Sequence, residues 1–283
     1  MTAQILHWLE PAQGKTIVDG TLGGGGHTLA LAQRVVPAGK VFSVDLDRAA
    51  LARVQPLVGE MPVTLAHGSF AELPELLQTE NINLVDGILL DLGLSSDQLA
   101  DVERGFSFQA DGPLDLRFDT MRGESAAEII ARLDEHSLAD LIFQLGEERF
   151  SRRIAKRIVE TRQTAPIRTA DQLAELVRSC VPRSRGHRID PATRTFQALR
   201  IAVNGELSAL EQALAELPDC LAPNGRLAII SFHSLEDRIV KYSFRNDDRL
   251  QVLTKRPVRP TEEESAANPR ARSAKLRVAQ RIE

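Results

Sequence analysis

Val18-Asp19-Gly20-Thr21-Leu22-Gly23-Gly24-Gly25-Gly26-His27 decides the fold. The apolar run Thr16-Ile17-Val18 leads into it, and Thr28-Leu29-Ala30-Leu31-Ala32 leaves it with helical character. The stretch therefore reads as a strand, a tight glycine turn and a helix start. Glycine tolerates positive φ and lets a ligand approach the backbone with no Cβ in the way. The helix start beyond it offers unpaired N–H groups. A nucleotide-like cofactor suits that combination.

The glycine spacing narrows the choice. A dinucleotide fingerprint needs Gly-x-Gly-x-x-Gly. Counted from Gly23 the last glycine falls on Thr28, and counted from Gly24 it falls on Leu29. Neither register fits. The next strand candidate, Lys40-Val41-Phe42-Ser43-Val44, ends at Asp45. An acid about 20 residues past the glycines, at the end of a second strand, suits a ribose diol. Asp45 is assigned to the ligand and Asp47 to the cap of the helix opening at Arg48. An acid opening the turn, as Asp19 does, points to S-adenosylmethionine (SAM) rather than to a hydride carrier.

Working outward, 283 residues suffice for one large α/β domain or a domain plus an insert. No apolar run is long enough to span a bilayer. Met1-Thr2-Ala3-Gln4 lacks the basic start of a signal peptide. Cys180 and Cys220 lie far apart and form no metal-type spacing, so no metal site is expected and a reducing cytoplasm is the simplest home. The net charge of −4 conceals an asymmetry. Between Arg149 and Arg200, 13 Arg and Lys residues face 4 acids, a net +9, which leaves −13 for the remainder. Concentrated arginine is the footprint of a phosphate-backbone partner. The alternative is a solvated helix face laced with i,i+4 pairs.

Strands are expected at 16–19, 41–45, 62–66 and 85–91, with helices between them, as in the first half of a doubly wound sheet. Val85-Asp86-Gly87-Ile88-Leu89-Leu90-Asp91 is nearly continuous in its apolar character, as a buried parallel strand requires. From Phe106 to Pro182 the pattern turns helical. Capping boxes are expected at Ser125/Glu128, Ser137/Asp140 and Thr169/Gln172. Ile154, Ile158 and Val159 back a basic face of Arg152, Arg153, Lys156 and Arg157. Arg183-Ser184-Arg185-Gly186-His187-Arg188 reads as an exposed loop. A long helix is expected from Thr195 to Leu217, a turn at Ala222-Pro223-Asn224-Gly225, a strand over Arg226–Phe232, a helix over Leu235–Val240 and a half-exposed strand over Ala274–Gln280. Arg256 to Pro269 reads as a loose connector, and the stretch between Phe244 and Leu253 as a shortened surface loop. The organisation is a Rossmann-like α/β sheet interrupted by an all-helical insert: 1–104, insert 105–194, and 195–283.

Ligands of open α/β sheets bind beyond the carboxyl ends of the strands. Asp19–His27, Asp45, His67-Gly68-Ser69-Phe70, Asp91-Leu92-Gly93-Leu94-Ser95-Ser96-Asp97-Gln98 and Ser231–Asp237 all leave strands on that edge. His233, Glu236 and Asp237 read either as a polar cluster of the site or as a helix start with first-turn acids. Phe106 and Phe108 read either as stacking aromatics or as a core pair of the insert.

The longest motifs carry a family resemblance. Asp-Gly-Thr-Leu-Gly-Gly-Gly-Gly-His (19–27), Asp-Leu-Gly-Leu-Ser-Ser (91–96), Arg-Gly-Phe-Ser-Phe (104–108), Asp-Gly-Pro-Leu-Asp-Leu-Arg (111–117), Gly-Glu-Glu-Arg-Phe (146–150), Pro-Ala-Thr-Arg-Thr-Phe-Gln-Ala-Leu-Arg (191–200), Ser-Phe-His-Ser-Leu-Glu-Asp-Arg (231–238) and Asn-Pro-Arg-Ala-Arg-Ser (268–273) span nearly the whole chain. Together they resemble the 16S ribosomal RNA cytidine N4-methyltransferase family, ribosomal RNA small subunit methyltransferase H. The resemblance implies a class I SAM-dependent enzyme that methylates the exocyclic N4 of a cytidine in the decoding centre of 16S rRNA, within the small ribosomal subunit. It implies that Gly25, Gly26 and His27 hold the methionine part of SAM, that Asp45 binds the ribose, that Phe70 lies on the adenine side, and that Asp91 and Gln98 add cofactor contacts. Read without the family, Phe70 is an ordinary core aromatic and His27 contributes only its backbone. The family pattern also carries a His-x-Pro-Val-Leu-Leu segment ahead of the position where Met1 stands.

N4 of cytosine is a poor nucleophile, because its lone pair is delocalised into the ring. An enzyme must align it and accept hydrogen bonds from it as it pyramidalises. Asp91, the Ser95 hydroxyl and His233 are the candidate catalytic groups. The Asp/Asn-Pro-Pro-aromatic motif of many amino-methyltransferases is absent after Asp91. C5 methylation needs a thiolate, and neither Cys180 nor Cys220 stands at a strand end. The competing readings are a non-catalytic RNA-binding assembly factor on a SAM fold, and a methyltransferase for a small molecule or protein. A monomer or a homodimer is expected.

Overall fold

The computed structural model describes residues 1–107, 111–182 and 190–282. In chain order the chain forms α1 (Thr2–Leu9), β1 (Thr16–Asp19), α2 (Gly26–Val35), β2 (Lys40–Asp45), α3 (Arg48–Val58), β3 (Val63–His67), α4 (Leu73–Thr79) and β4 (Val85–Asp91). A helical stretch follows: α5 (Ser96–Ala100), α6 (Ala126–Arg132), α7 (Glu135–Gly146), α8 (Ser151–Arg162), α9 (Ala170–Cys180) and α10 (Thr193–Asn204). Then come α11 (Glu206–Cys220), β5 (Leu221–Ser231), α12 (Ser234–Asn246), β6 (Leu250–Val252), α13 (Glu262–Ala267) and β7 (Lys275–Arg281). The chain divides into two compact units, Met1–Leu94 with Leu207–Glu283, and Ser95–Glu206. These limits lie outside the 105–194 expected for the insert, because α5, α10 and the polar clip described below belong with the helices.

The first unit is an α/β sheet of seven strands in the order β3-β2-β1-β4-β5-β7-β6. Strands β1 to β5 are mutually parallel, whereas β7 runs antiparallel to β5 and β6. The continuous apolar character of β4 follows from burial on both sides. Ile88 and Leu90 join one core with Val18, Phe42, Leu73, Leu214 and Phe244. Leu89 joins the opposite core with Ile5, Leu9, Ile17, Leu31 and Leu276. Alternate side chains of a strand point to opposite faces, so a strand covered twice must be apolar at every step. At Gly20 a Cβ would lie 2.5 Å from Leu90 Cδ2 and 3.1 Å from the Phe70 Cβ, so the residue after β1 has no room for a side chain.

The second unit contains helices and no strand among the described residues; Pro113 and Thr169 make one isolated bridge. The motif residues that carried no chemistry in the sequence build a polar clip here. Arg104 donates to the carbonyls of Arg117 (2.7 Å) and Phe118 (2.5 Å). Arg117 forks onto both carboxylate oxygens of Asp115 at 2.8 and 2.6 Å. Asn204 accepts from the Phe118 N–H (2.7 Å) and donates to the Leu116 carbonyl (2.7 Å) and its own helix at Arg200 (2.9 Å). These bonds satisfy a loop whose Leu116 stands at φ +66.

Several expectations change. Gly205, at φ 60, ends α10, so the long helix expected over Thr195–Leu217 is two helices. Asp134, not Ser137, caps α7, and Ser137 is the residue whose N–H it receives. The turn expected at Ala222–Gly225 lies inside β5: pairing jumps from Val85↔Leu221 to Gly87↔Arg226, leaving the intervening residues as a bulge. The helix expected over Leu235–Val240 extends to Asn246. The connector Arg256–Pro269 contains α13, and the shortened loop before Leu253 contains β6. Phe106 is buried and pairs with Phe118, ring centroids 5.7 Å apart, which makes it a core residue of the helical unit. Phe108 and the expected loop Arg183–Arg188 lie outside the described residues. No helix of the described residues is long and apolar enough to cross a membrane.

Asn204→Ala leaves two backbone groups without partners, at about 1–3 kcal/mol for each buried group. The expected result is a loss of about 2 kcal/mol in urea unfolding of the helical unit; a midpoint shift under 0.3 M would contradict the clip.

Candidate active site

The carboxyl ends of β1, β2 and β4 bring Asp19, Asp45 and Asp91 to one edge of the sheet, with the glycine turn between them. Asp19 is fully buried. It accepts from the Thr28 hydroxyl at 2.7 Å and the Thr21 N–H at 3.2 Å. Thr28 in turn meets Ser43 Oγ at 2.8 Å, tying β1, β2 and α2 together. Thr21 Oγ1 accepts from the Asp91 N–H at 2.6 Å, which ties the turn to the end of β4. Gly25 is the N-cap of α2 at φ 78, and no side chain caps the helix. A Cβ there would fall 2.7 Å from Val54 Cγ1, whereas one at Gly26 would meet nothing within 4 Å. The start of α2 thus opens onto space.

Asp45 accepts from the Gly23 N–H at 2.7 Å and from the Asp47 N–H at 2.8 Å. Asp47 caps α3 through the Ala49 N–H at 3.0 Å, as the sequence indicates. A carboxylate has about four lone-pair sites, so Asp45 keeps acceptor capacity for a ligand hydroxyl. Phe70 opens a short 3-10 turn capped by Ser69 and packs, partly exposed, against the core below Gly20. His27 Nε2 lies 3.3 Å from Asp91 Oδ2, and its Nδ1 lies 3.4 Å from Thr2 Oγ1 of α1. The other carboxylate oxygen, Asp91 Oδ1, is buried with no hydrogen-bond partner.

Burial pushes the Asp19 carboxyl up to about 6, against the opposing pull of the His27 charge and the Thr28 hydrogen bond. Burial also raises Asp45, against the two N–H groups it accepts. Burial pulls His27 down, but the hydrogen bond and charge of Asp91, with the charge of Asp19, outweigh it and hold His27 above its ordinary value.

The remaining predicted residues are placed differently. Ser95 and Gln98 belong to the helical unit and form a reciprocal capping box at α5, at 3.2 Å and 3.0 Å. His233 caps α12: its Nδ1 accepts from the Glu236 N–H at 3.4 Å. Glu236 accepts from the Phe232 and His233 N–H groups. Asp237 binds Lys275 at 2.9 Å and Arg277 at 2.7 Å. The helix-start reading of that cluster accounts for these contacts. Sequence reasoning missed the Thr21–Asp91 bond and the Thr28–Ser43 contact. Hydroxyls two and nine residues beyond a buried Asp are the signal that was available.

An orphaned buried carboxylate oxygen calls for an ammonium or amine donor. An uncapped helix start beside it calls for an anion, and Asp45 suits hydroxyls. SAM carries all three groups, and the residues present fit it. The sequence profile of the MraW methylase family matches residues 1–282. The chain belongs to that family. The ribosomal RNA small subunit methyltransferase H of Rhodopirellula baltica is 50% identical to this chain over all of it and 90% of the relative. The enzyme of the same name from Deinococcus radiodurans is 51% identical over 99% of this chain and 88% of the relative. Among solved structures, an rRNA methylase from Streptococcus thermophilus aligns over 97% of this chain and 92% of its own at TM-score 0.46 and 12% identity. This MraW-family methylase is therefore a SAM-dependent methyltransferase with a Rossmann-like class I sheet.

Gly25→Ala adds a clash to a strained φ, so calorimetric SAM affinity should fall at least tenfold, while Gly26→Ala, with open space, should retain the fold; equal melting and equal affinity for Gly25→Ala would contradict the turn. Asp19 holds its proton in the fold up to about 6, above its ordinary 3.8, so the unfolded state releases that proton first and stability falls as pH rises through that window. His27, raised above 6.5, loses stability as pH rises beyond that value. The melting-temperature difference between Asp19→Asn and the unaltered protein should therefore grow in favour of the variant from pH 4 to pH 7; a constant difference would refute the buried carboxyl.

Proposed function

We propose that the chain methylates the exocyclic N4 of one cytidine in the decoding centre of 16S rRNA, presented within the small ribosomal subunit in the cytoplasm. The observation that carries this reading is the buried, unpartnered Asp91 Oδ1 at the end of β4, beside His27 and the open start of α2. The relatives named ribosomal RNA small subunit methyltransferase H support the substrate assignment.

SAM, when bound, supplies a methyl group on a positively charged sulfur. The N–H groups of Gly26 and His27 would hold its methionine carboxylate, as a helix start holds any anion, while Gly25, whose own N–H donates to the Leu22 carbonyl, shapes the turn beneath it. Asp45 accepts from the ribose hydroxyls, and Phe70 flanks the adenine. Asp91 accepts from an amine donor, and His27 fixes the rotamer of that carboxylate through its second oxygen. As the N4–methyl bond forms, the N4 lone pair leaves conjugation and its N–H groups become stronger donors. Acceptors aimed at that amine stabilise the charge that develops on it, and the surplus proton leaves N4 through them. Asp91 is the first candidate acceptor. Ser95 and His233 act by holding the α5 and α12 starts, and Gln98 supports Ser95 from the same box. A target base in folded RNA must be turned out of its stack.

The helical unit carries the second half of the reading. Arg152, Arg153, Lys156 and Arg157 stand exposed along one face of α8, with Ile154, Ala155 and Ile158 buried on the other. Lys156 and Arg157 share Glu160 at 4.0 and 3.9 Å, whereas Arg152 and Arg153 have no ion pair among the described residues. That face suits RNA phosphates.

The test is incubation of purified protein with tritiated SAM and 30S subunits, naked 16S RNA or free cytidine, followed by nucleoside analysis. N4-methylcytidine is expected with an RNA substrate; its absence from every sample would overturn the reading. Asp91→Ala should lower kcat/KM about 10²–10³-fold, the scale of losing one charge-stabilising group. Arg152→Glu, Arg153→Glu and Arg157→Glu together should abolish RNA methylation and leave SAM affinity intact.

A further inference from the structure

The motif Asn-Pro-Arg-Ala-Arg-Ser (268–273) has no part in the site described above. In the structure it is a rigid 3-10 turn leading into β7. Asn268 Oδ1 accepts from the Arg270 N–H at 3.2 Å, Pro269 fixes the first position, and Ala271 and Ala274 are buried. Arg270 and Arg272, between these anchors, are exposed and make no ion pair among the described residues. A turn with buried alanines and outward arginines presents two guanidinium groups at little further entropic cost, because its backbone is already fixed.

Register places this turn at the ligand edge of the sheet. Lys275, the first residue of β7, is opposite Ser231, the last of β5. Asp91 is opposite Ile230 on the other side of β5. Lys275 is thus two strand spacings, about 10 Å, from the end of β4. Val258 bridges Leu276 in the antiparallel sense, which brings the exposed Arg259 level with Lys275. Lys275 itself is engaged by Asp237, whereas the exposed Arg259, Arg270 and Arg272 make no ion pair among the described residues. The opposing charges are Glu262 and Glu263, exposed on α13; Glu264 is taken by the Met1 amine and Gln4.

We infer that Arg259, Arg270 and Arg272 form an RNA-phosphate clamp on the sheet unit itself, gripping the backbone that flanks the target nucleotide. This rests on the proposed RNA methylation and adds to it a second electrostatic surface, separate from the α8 face. Arginine suits the role because its planar fork matches phosphate oxygens bidentately.

The test uses the full chain and fluorescently labelled 16S RNA. Each phosphate contact to single-stranded RNA contributes about 0.7 to the slope of log affinity against log salt. The variant Arg259→Gln/Arg270→Gln/Arg272→Gln should therefore flatten that slope by about 2 and weaken RNA binding about tenfold or more in 0.15 M KCl, with SAM affinity unchanged. The corresponding Lys variants should restore the slope, since the charge remains. Glu262→Gln/Glu263→Gln should tighten binding. Arg34→Gln/Lys40→Gln, a similar charge change at the opposite end of β2, should leave it unaltered. An unchanged slope in the Gln variant, with SAM binding retained, would overturn the clamp. Its judgement rests on RNA binding, whereas the methylation reading is judged by N4-methylcytidine, so either can fail alone.

Discussion

The site depends on one buried carboxylate. Asp19 sits at the end of β1 with no exposure to solvent, and its oxygens receive the Thr21 N–H and the Thr28 hydroxyl. Those two partners flank the glycine turn, so a single charge sets both of its ends. Thr21 passes the constraint to the Asp91 N–H, and Thr28 passes it to Ser43 on β2. Without these bonds the turn would be a flexible run of four glycines. With them it is a fixed cradle whose helix start faces open space. An unsolvated acid is costly, and the nearby His27 compensates for it in part. The same arrangement makes His27 readier to stay charged against Asp91.

The architecture then divides the labour. The parallel strands bring Asp45 and Asp91 to the same edge as the turn. The antiparallel β7 lies between β5 and the edge strand β6, and the ion pairs of Asp237 with Lys275 and Arg277 hold its first residues against α12. Capping boxes at Ser95, Ser125, Thr169 and His233 fix where helices begin. At Ser95 and His233 the groups that looked chemical in the sequence have a structural task as well.

The strands β1 and β4 were legible to the residue, because a strand buried on both faces must be apolar throughout and must stop where the ligand edge begins. That Asp47 caps α3 was legible for a similar local reason: it stands immediately before the first helical residue. What escaped was set partly by competing local signals and partly by tertiary contacts. Gly205 breaks a periodic run that otherwise reads as one helix. Asp134 caps α7 and receives both the N–H and the hydroxyl of Ser137, so the helix begins three residues before the capping box read there. The pairing of Phe106 with Phe118, and the clip of Arg104, Leu116 and Asn204, join residues far apart in sequence, which no local pattern announces. The orphaned oxygen of Asp91 is a property of packing alone.

The parallel pairing of β4 with β5 has a kinetic corollary. Asp91 and Ile230 are register partners, yet the entire helical unit lies between them in the chain. Closing so long a loop carries an entropic cost that grows with its length, and non-local parallel pairing is slow for that reason. The clip shortens the effective loop. Arg104 and Asn204, near the two ends of the helical unit, are both bonded to the segment Leu116–Phe118. Once those helices have formed, the two ends of the interruption are held together, and the later strand needs to search only a short tether. With its ends tied, the helical unit lowers the entropic cost of pairing β5 with β4.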